Sequence, residues 1–563
     1  MGIDVNCNKQ TLNTYLQRLN NQFPDNMQGK FYKNRQTRVF LFLLFAFWFC
    51  ITANAREHST SSFFTYTELT ALYEQEKLPA SLENKLNKLL TVPFVDNSYA
   101  SAAPVAFSQS PQLGEFLRVA HWNIERGLEY RAVETVFCNK ELFEAILDVK
   151  EFPRGSDERQ RALEQAAMLR AADVIVLNEV DLGMKRTDYR NIAADLSAKL
   201  KMNYAFGVQF VELTPVHLSR EKENATEQEK ELTEIIRVDP ALYKGLHGIA
   251  ILSRFPLENV RLVPFKNQPY DWYRSEKNGT SLIEKGKRKL SEKVFLEETL
   301  REVRRGGRTT LLADIADPRF PNGRVTIAAT HLENRTESAN RVEQLEELLD
   351  SIKEIRNPVV LAGDMNTSSA DFTPTSLRRE LIKRYGNPQY WIRKGIGYAL
   401  GFGLIEDTVL DGLTFWRKQS DPTVRHIPFL MPNSEHKFFS TLEDFRFADG
   451  GAFDFRGDKE RSYRNRDKKL ANSNERGDKG FVNTYQVARP IKFVGKYKLD
   501  WIFIKPADLK KPNDSKGSYR FAPHFGRTFS EVNEVVPDRI SDHRPLIVDL
   551  PLGEPPLTQA KTN

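Results

Sequence analysis

The sequence predicts an α/β protein whose strands carry polar side chains at their ends. Apolar runs such as 117–122 and 173–180 have the length of buried strands, and a polar residue lies at or next to the end of each. Amphipathic spacing between such runs, as at 158–171, 188–200 and 338–355, is typical of helices. The chain is 40% hydrophobic and 28% charged, a globular balance that excludes a wholly disordered protein.

Length and charge limit the function classes only loosely. The 563 residues suffice for two or more domains, and a net charge of +7 with a pI near 9.0 suits anionic partners. Nucleic acid, an anionic membrane surface and phosphorylated small molecules are all compatible with this positive charge. No obligate protein partner is evident from the sequence. Cys7, Cys50 and Cys138 are too scattered for a zinc site or a disulfide framework.

Residues 1–55 are predicted to be a polar leader followed by an export signal. Basic residues at 30, 33, 35 and 38 precede an apolar run, 39–51, which is short for a bilayer span and has the length of a signal-peptide core. The Ala-Asn-Ala sequence that ends at Ala55 fits a cleavage site. We predict either cleavage after Ala55 or an uncleaved anchor at 39–51, and hence a periplasmic or extracellular protein. The alternative, a buried helix, is disfavoured by the basic flank and by aromatic residues on every face.

The remainder of the chain is predicted to hold one catalytic domain behind a short N-terminal segment. In the segment 56–115, a pair of helices spans 64–92, and the Ser-, Ala- and Pro-rich stretch 93–114 is predicted to be a linker. The catalytic domain then spans 116–552, and 553–563 form a tail.

Three charged or lengthy stretches of that domain, 212–244, 267–308 and 416–494, are predicted to be insertions around the site, because loops on a rigid scaffold often carry specificity. The phenylalanines between 438 and 455 favour a local core, and the charged tract 456–480 favours a solvated, mobile loop. A basic cluster is interpreted as a solvated face rather than a phosphate-binding patch; it comprises Arg301, Arg304, Arg305 and Arg308.

Several strands end at residues that can hold a cation, a proton or a phosphate. An apolar run from 358 is bounded by Gly363, and Asp364 and Asn366 follow it. These two side chains project the same way, because side chains alternate along an extended chain. A hairpin of strands 309–315 and 324–330 delivers His331. Further strand ends carry Asn123, Glu179, Asp500, and Asp542 with His543.

Together these strand ends supply four carboxylates, two carboxamides and two imidazoles. A sheet that gathers them would bring like charges together, so ionising the carboxylates jointly needs a cation. Oxygen donors with few nitrogens suit Mg²⁺ or Mn²⁺ better than zinc. Such a centre suits hydrolysis of phosphate esters, since the metal polarises the phosphoryl oxygen while a base activates water.

Seven motifs in a fixed order resemble the endonuclease/exonuclease/phosphatase superfamily, which includes deoxyribonuclease I, exonuclease III-type nucleases, inositol polyphosphate 5-phosphatases and neutral sphingomyelinases. They are W-N-I-E-R-G (122–127), L-N-E-V-D (177–181), G-I-A-I-L-S-R-F-P (248–256), A-T-H-L (329–332), A-G-D-M-N (362–366), K-L-D-W-I-F (498–503) and S-D-H-R-P-L (541–546). Each motif is unspecific alone, whereas all seven in order are specific. The resemblance implies a deoxyribonuclease I-like four-layer α/β sandwich, in which two packed mixed β-sheets are flanked by helices.

The resemblance also implies a metal centre with a water-activating group. Glu179 matches the metal ligand and is assisted by Asn123, while Asp542 matches a second acidic group near the metal. Asp364 matches the group that aligns or deprotonates the attacking water. Mg²⁺ is the expected cofactor, with Mn²⁺ or Ca²⁺ as alternatives.

The remaining matches imply contacts to the substrate phosphate. His331 and Asn366 match phosphate-binding residues, and Asp500 matches the carboxylate paired with His543. The residue chemistry agrees, because a carboxylate on one nitrogen fixes the tautomer of a histidine and keeps it cationic toward a phosphoryl group. The predicted catalytic residues are thus His331, Asp364, Asn366, Asp500 and His543, and the predicted phosphate contacts are Asn123, His331, Asn366 and His543.

The motifs do not assign a role to some residues near them. His247 precedes a predicted strand and is as compatible with the cleft as with a structural role, and Arg341 and Gln344 are interpreted as a solvated helix face. Sequons at Asn334 and Asn366 overlap the motifs, which favours bacterial over eukaryotic export, because glycans there would block the site.

The predicted function is an exported, divalent-metal-dependent phosphoesterase that cleaves phosphate mono- or diesters of small molecules or lipid head groups. A secreted nuclease is the alternative, although no stretch interleaves aromatic and basic residues as a nucleic-acid platform does. An inactive binding protein on the same scaffold is disfavoured by the complete set of motif residues.

Overall fold

The structure is a computed structural model that describes residues 63–101, 104–147, 151–215, 217–220, 237–277, 302–368, 421–426, 432–478, 480–491, 494–536 and 539–556. The predicted export signal, Arg301 and most of the predicted tail lie outside these residues. Within these ranges, no helix is long and apolar enough to cross a bilayer.

Most strands of the described chain belong to two mixed sheets. The strands are β1 (Phe94–Asp96), β2 (Ser108–Ser110), β3 (Gly114–Asn123), β4 (Val174–Leu182), β5 (Asn203–Glu212), β6 (Leu246–Ser253), β7 (Leu257–Pro264), β8 (Arg304–Gly306), β9 (Thr309–Ala316), β10 (Arg324–His331), β11 (Val359–Asp364), β12 (Arg476–Gly477), β13 (Gly480–Phe481), β14 (Tyr485–Ile491), β15 (Val494–Tyr497), β16 (Asp500–Lys505), β17 (His524–Thr528) and β18 (Leu546–Pro551). The first sheet has the order β1-β5-β6-β4-β3-β18-β17, with β2 on β3 and β8 on β5, and the second has the order β16-β11-β10-β9-β7.

Helices cover the outer faces of both sheets. They are α1 (Tyr66–Glu74), α2 (Ala80–Thr91), α3 (Tyr130–Cys138), α4 (Lys140–Ile146), α5 (Asp157–Arg170), α6 (Ile192–Leu200), α7 (Arg274–Lys277), α8 (Ser338–Ile352) and α9 (His436–Asp444). Helix α6 packs on β4, β5 and β6 of the first sheet. Helix α8 buries Leu345, Leu348 and Ile352 at helical spacing against the second sheet. The predicted four-layer α/β fold is confirmed.

The two sheets share an apolar core that turns polar toward one edge. On β3, Leu117 and Val119 are buried between the sheets, and the alternation continues to His121 and Asn123. The same inward rows on the second sheet continue into His331 on β10, Asp364 on β11 and Asp500 on β16. The core rows therefore run directly into the predicted catalytic residues.

The predicted linker is part of the first sheet at two points. Strand β1 pairs with β5 through Phe94–Asp96, and β2 pairs with β3 through Ser108–Ser110. The linker prediction is wrong for these strands, because short edge strands with a Ser- and Pro-rich composition give almost no local signal. The predicted helical pair at 64–92 is confirmed as α1 and α2.

The phenylalanine-rich stretch belongs to the core behind the second sheet rather than to a separate local core. Phe439 packs edge-on against Trp501 of β16, with ring centroids 4.8 Å apart. Phe453 and Phe455 join the same cluster as helix α8. The tract 456–480 is not a fully solvated loop, since Arg461 and 470–476 are buried.

Burial of Arg461 depends on a carboxylate that supplies its counter-charge. Asp454 Oδ2 lies 2.8 Å from Arg456 Nη2 and 3.2 Å from Arg461 Nη1. Burial alone would raise the pKa of Asp454, but the two guanidinium groups outweigh it and hold the pKa below its ordinary value. The triad contributes stability above the pKa of the unfolded chain, about 4, and loses it as pH falls through the folded-state pKa.

We predict that Asp454→Asn lowers the free energy of unfolding at neutral pH by about 3–5 kcal/mol, because Arg456 loses its paired carboxylate and Arg461 keeps only its second partner, Asp458. The difference in the free energy of unfolding between wild type and variant should become smaller as pH falls below about 4. Urea unfolding at several pH values measures both effects. Asp508→Asn, at an exposed position, is the matched control and should change little. An equal loss at neutral and acid pH would contradict the assignment.

Candidate active site

The polar ends of the second sheet are aligned by strand register. His331 on β10 is the register partner of Asp364 on β11, and Asp364 is the partner of Asp500 on β16. Gly363 lies inside β11 rather than at a turn. A Cβ there would come within 2.0 Å of Thr330 O, so glycine is what lets β10 and β11 lie side by side at this point.

Asp500 is paired with His543, as the sequence predicted. His543 Nδ1 lies 2.7 Å from Asp500 Oδ2, and both side chains are buried. Burial disfavours both charges. Nevertheless, the charge of His543 and the hydrogen bond from His121 hold the pKa of Asp500 well below its usual range. In turn, Asp500 and Asp364 raise the pKa of His543 well above its ordinary value. The pair is an imidazolium–carboxylate unit.

Contacts from three separate segments hold His543 in place. Its main-chain oxygen accepts a hydrogen bond from Trp122 Nε1 (2.9 Å), and its main-chain N–H donates to Ser541 Oγ (3.1 Å). Its ring lies 4.8 Å from the ring of Tyr485. His543 therefore faces the second sheet from a fixed position at the start of β18.

Asp364 is at the centre of the cluster. Its Oδ1 accepts the main-chain N–H of Asn366 (2.9 Å), and Asn123 Nδ2 lies 3.2 Å from its Oδ2. The Nε2 atoms of His331 and His543 lie 3.6 and 3.7 Å from Oδ2, beyond hydrogen-bond length. Burial raises the pKa of Asp364, and the negative charges of Asp500 and Glu179 raise it further. These effects outweigh the positive charge of His543, so the pKa is about 7.

Two predicted phosphate contacts, His331 and Asn366, lie at the end of the second sheet and have hydrogen-bond donors to spare. His331 is buried, and its Nδ1 has no hydrogen-bond partner within the described chain. Burial and the charge of Arg308 hold the pKa of His331 well below its ordinary value, so the ring is neutral. Asn366 donates through Nδ2 to Leu332 O (2.9 Å), which uses one of its two amide protons. Each side chain can still donate one hydrogen bond.

Two of the three predicted metal ligands, Asn123 and Glu179, are in contact with each other. Asn123 Nδ2 lies 3.2 Å from Glu179 Oε1, so this one amide bridges Glu179 and Asp364. Asp542 lies instead beside His543, whose pKa its charge helps to raise, and its main-chain N–H donates to Glu125 Oε2 (3.2 Å). Asp542 is thus in the same cluster as His543, while Asn123 and Glu179 form its other side.

Strained backbone is concentrated at this edge. Glu125, Arg126, Glu179 and Asn366 all have positive φ angles, of 48°, 63°, 53° and 47°. Such conformations are disfavoured for residues with a Cβ and persist where the surrounding structure over-determines them. The strain lies in the motif residues themselves, which is typical of a functional site.

Two of the three described members of the basic cluster are buried, and the prediction of a solvated face is wrong for them: Arg304 and Arg308 are 4% and 3% exposed. Arg304 pairs with Glu302, and Arg308 Nε lies 3.3 Å from Glu333 Oε2. Both guanidinium groups also lie over the ring of Phe210. Arg305 is partly exposed, and its Nε donates to Leu72 O at the end of α1 (2.8 Å). Glu302 is a neighbour of Arg304 in the chain, but Glu333 and Glu212, which also offset the free-energy cost of burying these charges, come from other segments and are not revealed by a local pattern.

His247 is buried in a second charged network. Its Nδ1 lies 2.9 Å from Asp181 Oδ1, and Asp181 is paired with Arg186, which also binds Glu212. Burial lowers the pKa of His247 despite the carboxylate. The contact with Asp181 is thus structural, and a place for His247 in the cleft stays a prediction.

The interpretation of Arg341 and Gln344 as a solvated face is wrong, since both are at most 1% exposed. Arg341 Nη2 lies 3.0 Å from Glu435 Oε1. Gln344 Oε1 accepts the main-chain N–H of Glu333 (3.0 Å), two residues beyond His331. Segments distant in sequence cover this face of α8, so helical periodicity alone could not predict its burial.

A family model described as the Endonuclease/Exonuclease/phosphatase family matches residues 120–543. The chain belongs to this family. Its members are hydrolases that act on phosphodiester bonds, so the resemblance predicted from the motifs is confirmed at this level.

Solved structures of this fold match at low identity. They include an endonuclease/exonuclease/phosphatase from Beutenbergia cavernae DSM 12333 (20% identity, 78% of this chain and 72% of that chain, TM-score 0.32). The human Nocturnin catalytic domain with bound sulfate anion matches at 13% identity (77% and 92%, TM-score 0.31). An AP endonuclease from Archaeoglobus fulgidus matches at 11% (77% and 99%, TM-score 0.34). A search of curated proteins found no match.

Family members generally depend on a metal, and the donor chemistry here fits one. Asp364, Asp500 and His543 place ligand atoms within 4.8 Å of one another. Both oxygens of Asp500 are already engaged by imidazoles, so this trio is better described as a hydrogen-bonded cluster. Glu179, bridged to Asp364 through Asn123, leaves an all-oxygen donor set that suits a hard divalent cation.

Three contributors to the site were not predicted. His121 binds Asp500, Asn178 Oδ1 accepts the main-chain N–H of Asp364 (2.8 Å), and Arg126 Nε lies 3.9 Å from Glu179 Oε2. His121 could have been found, because it lies two residues before Asn123 on the same face of β3. Asn178 and Arg126 lie within the quoted motifs, but their partners come from other strands.

Proposed function

We propose that the chain is an exported, divalent-metal-dependent phosphoesterase that hydrolyses phosphate mono- or diesters of small-molecule or lipid head-group substrates. The observation that carries the proposal is the buried Asp500–His543 pair facing Asp364, with Nε2 of His543 3.7 Å from Asp364 Oδ2. A cationic donor beside a carboxyl group is the arrangement that phosphoryl transfer to water requires.

The roles of the residues follow from their protonation and contacts. Asp364, with a pKa of about 7, can take the proton of an attacking water while the oxygen of that water forms a bond to phosphorus. His543 donates a hydrogen bond to the phosphoryl group, and the neutral ring of His331 and the amide of Asn366 orient it. The ester oxygen leaves with the bonding electron pair and takes up a proton from solvent water.

The proposed metal site comprises Glu179 and Asn123, with Asp364 adjacent. When bound, Mg²⁺ would polarise the phosphoryl oxygen and stabilise charge on the leaving group. Glu179 is the most accessible of these carboxylates, since its side chain is 23% exposed. Asn123 orients both carboxylates through one amide group.

Charge pairing near the site favours small or lipid-linked esters over polynucleotides. Among the described residues, Arg126 and Arg304 pair with Glu302, Arg308 pairs with Glu333, and Arg335 pairs with Glu276. A nucleic-acid groove instead presents cations that neutralise a row of phosphates. The net charge of +7 keeps the nuclease as the second candidate.

A substrate panel with Mg²⁺ tests the function. Sphingomyelin vesicles, phosphatidylinositol phosphate vesicles, a soluble phosphomonoester and supercoiled plasmid would be compared for wild type and His543→Ala. We expect turnover of a lipid or small-molecule ester that is lost in the variant. Plasmid nicking alone would favour the nuclease, and no hydrolysis of any substrate would contradict the proposal.

Export is a separate proposal, motivated by the basic flank, the apolar run 39–51 and the Ala-Asn-Ala sequence. We predict that the mature chain begins near Arg56 and is recovered outside the cytoplasm. Mass spectrometry of the native N-terminus measures this. An intact N-terminus in the membrane fraction would indicate the anchor, whereas an intact Met1 in the cytosol would exclude export.

A further inference from the structure

We propose that His121 is a positioning residue that fixes the Asp500 carboxylate for His543. The inference rests on the proposed function of the Asp500–His543 pair. His121 lies on β3 of the first sheet and Asp500 on β16 of the second, so the contact between them joins the two sheets at the site.

The geometry leaves Asp500 no freedom to rotate. His121 Nε2 lies 3.0 Å from Oδ1, and His543 Nδ1 lies 2.7 Å from Oδ2, so each carboxylate oxygen accepts one imidazole N–H. Its main chain is held as well, since Asp500 N donates to Thr484 Oγ1 (3.1 Å) and Asp500 O accepts from Lys498 Nζ (2.5 Å). All of these groups are buried.

His121 is itself oriented by the scaffold. Its Nδ1 lies 3.3 Å from Val176 O, the main-chain oxygen of its register partner on β4. The ring is fully buried and lies on the inward row that Leu117 and Val119 begin. A carboxylate in an apolar core needs hydrogen bonds to both oxygens, and a short side chain from β3 could not supply the one to Oδ1.

His121 therefore acts on the reaction only through Asp500. Without it, Oδ1 loses its partner, the carboxylate can turn, and the hydrogen bond to His543 loses its optimal direction. Removing supporting contacts of this kind commonly costs about 10–100-fold in activity. Because the His121 ring is fully buried, the loss is expected in kcat, with KM changed by less than about twofold.

A matched pair of amides tests the idea in the full chain. In His121→Gln, the side-chain N–H₂ can occupy the position of Nε2 and still reach Asp500, whereas the shorter side chain of His121→Asn cannot. We expect His121→Asn to lower kcat about 10–100-fold, whereas His121→Gln should retain most of the wild-type kcat. In an Asp500→Asn background, His121→Asn should add less than about twofold. Equal kcat in both amide variants, or additive losses, would overturn the proposal.

A second readout needs no substrate, which separates failure of this inference from failure of the proposed function. In ¹⁵N-histidine-labelled protein, the Nδ1 proton of His543 should resonate far downfield, and His543→Ala assigns it by its disappearance. We expect the signal to shift or broaden in His121→Asn and to persist in His121→Gln. His524→Gln is the control, because among the described residues that buried ring hydrogen-bonds only to the main-chain oxygen of Ala522. An unchanged signal in folded His121→Asn would refute the positioning role.

Discussion

Replacing His543 by alanine is expected to lower kcat by about 10²–10⁴-fold, the cost of losing one preorganised charged donor or acid–base group. The imidazolium is buried, held by Asp500 at 2.7 Å, and faces Asp364 across 3.7 Å. No other described cation occupies that position, because the pKa of neighbouring His331 is lowered rather than raised. Steady-state kinetics on the substrate found in the panel measures the loss.

Asp500→Asn should cost less than His543→Ala, since the ring remains but is poorly oriented. The double variant should be little worse than His543→Ala alone, because groups that act as one unit are non-additive. Thermal unfolding must show that each single variant is folded, as Asp500 also carries contacts to the scaffold. Fully additive losses in folded variants would mean that the two residues work separately.

The second large effect is expected for Glu179→Gln, which should weaken divalent-cation binding and lower kcat/KM by about 10²-fold or more. The reason is electrostatic, since Glu179 and Asp364 are joined through one amide and their mutual repulsion contributes to the raised pKa of Asp364. A cation relieves that repulsion, and the substituted carboxamide would supply one oxygen without charge. Calorimetric titration with Mn²⁺ measures binding independently of turnover.

Glu258→Gln is the matched control for this substitution. Glu258 lies on β7 at the edge of the second sheet, is 45% exposed and pairs with Arg324. The substitution Glu258→Gln should leave both cation affinity and kcat/KM unchanged. Wild-type hydrolysis that persists in excess EDTA would remove the metal from the proposed mechanism.

The sequence alone determined the strand ends and the face on which their polar residues lie. An apolar strand followed by Asp364 and Asn366, or by His331, is a local pattern, and the alternation of side chains fixes its direction. The order of the motifs further implied which ends share a site. Family and fold class followed from the motifs, and the contact between Asp500 and His543 followed from the resemblance that the motifs carry.

Tertiary structure decided the partners and the burial of charge. The bond between His121 and Asp500 joins residues 379 positions apart on different sheets, and register at Gly363 sets which residues of β10 and β11 are neighbours. Arg304 has Glu302 two residues before it in the chain, but the second carboxylate that stabilises its buried charge, Glu212, comes from β5. Periodicity is a property of a few consecutive residues. The free energy of a buried charge, by contrast, depends on counter-charges that only the folded chain brings within a few ångströms.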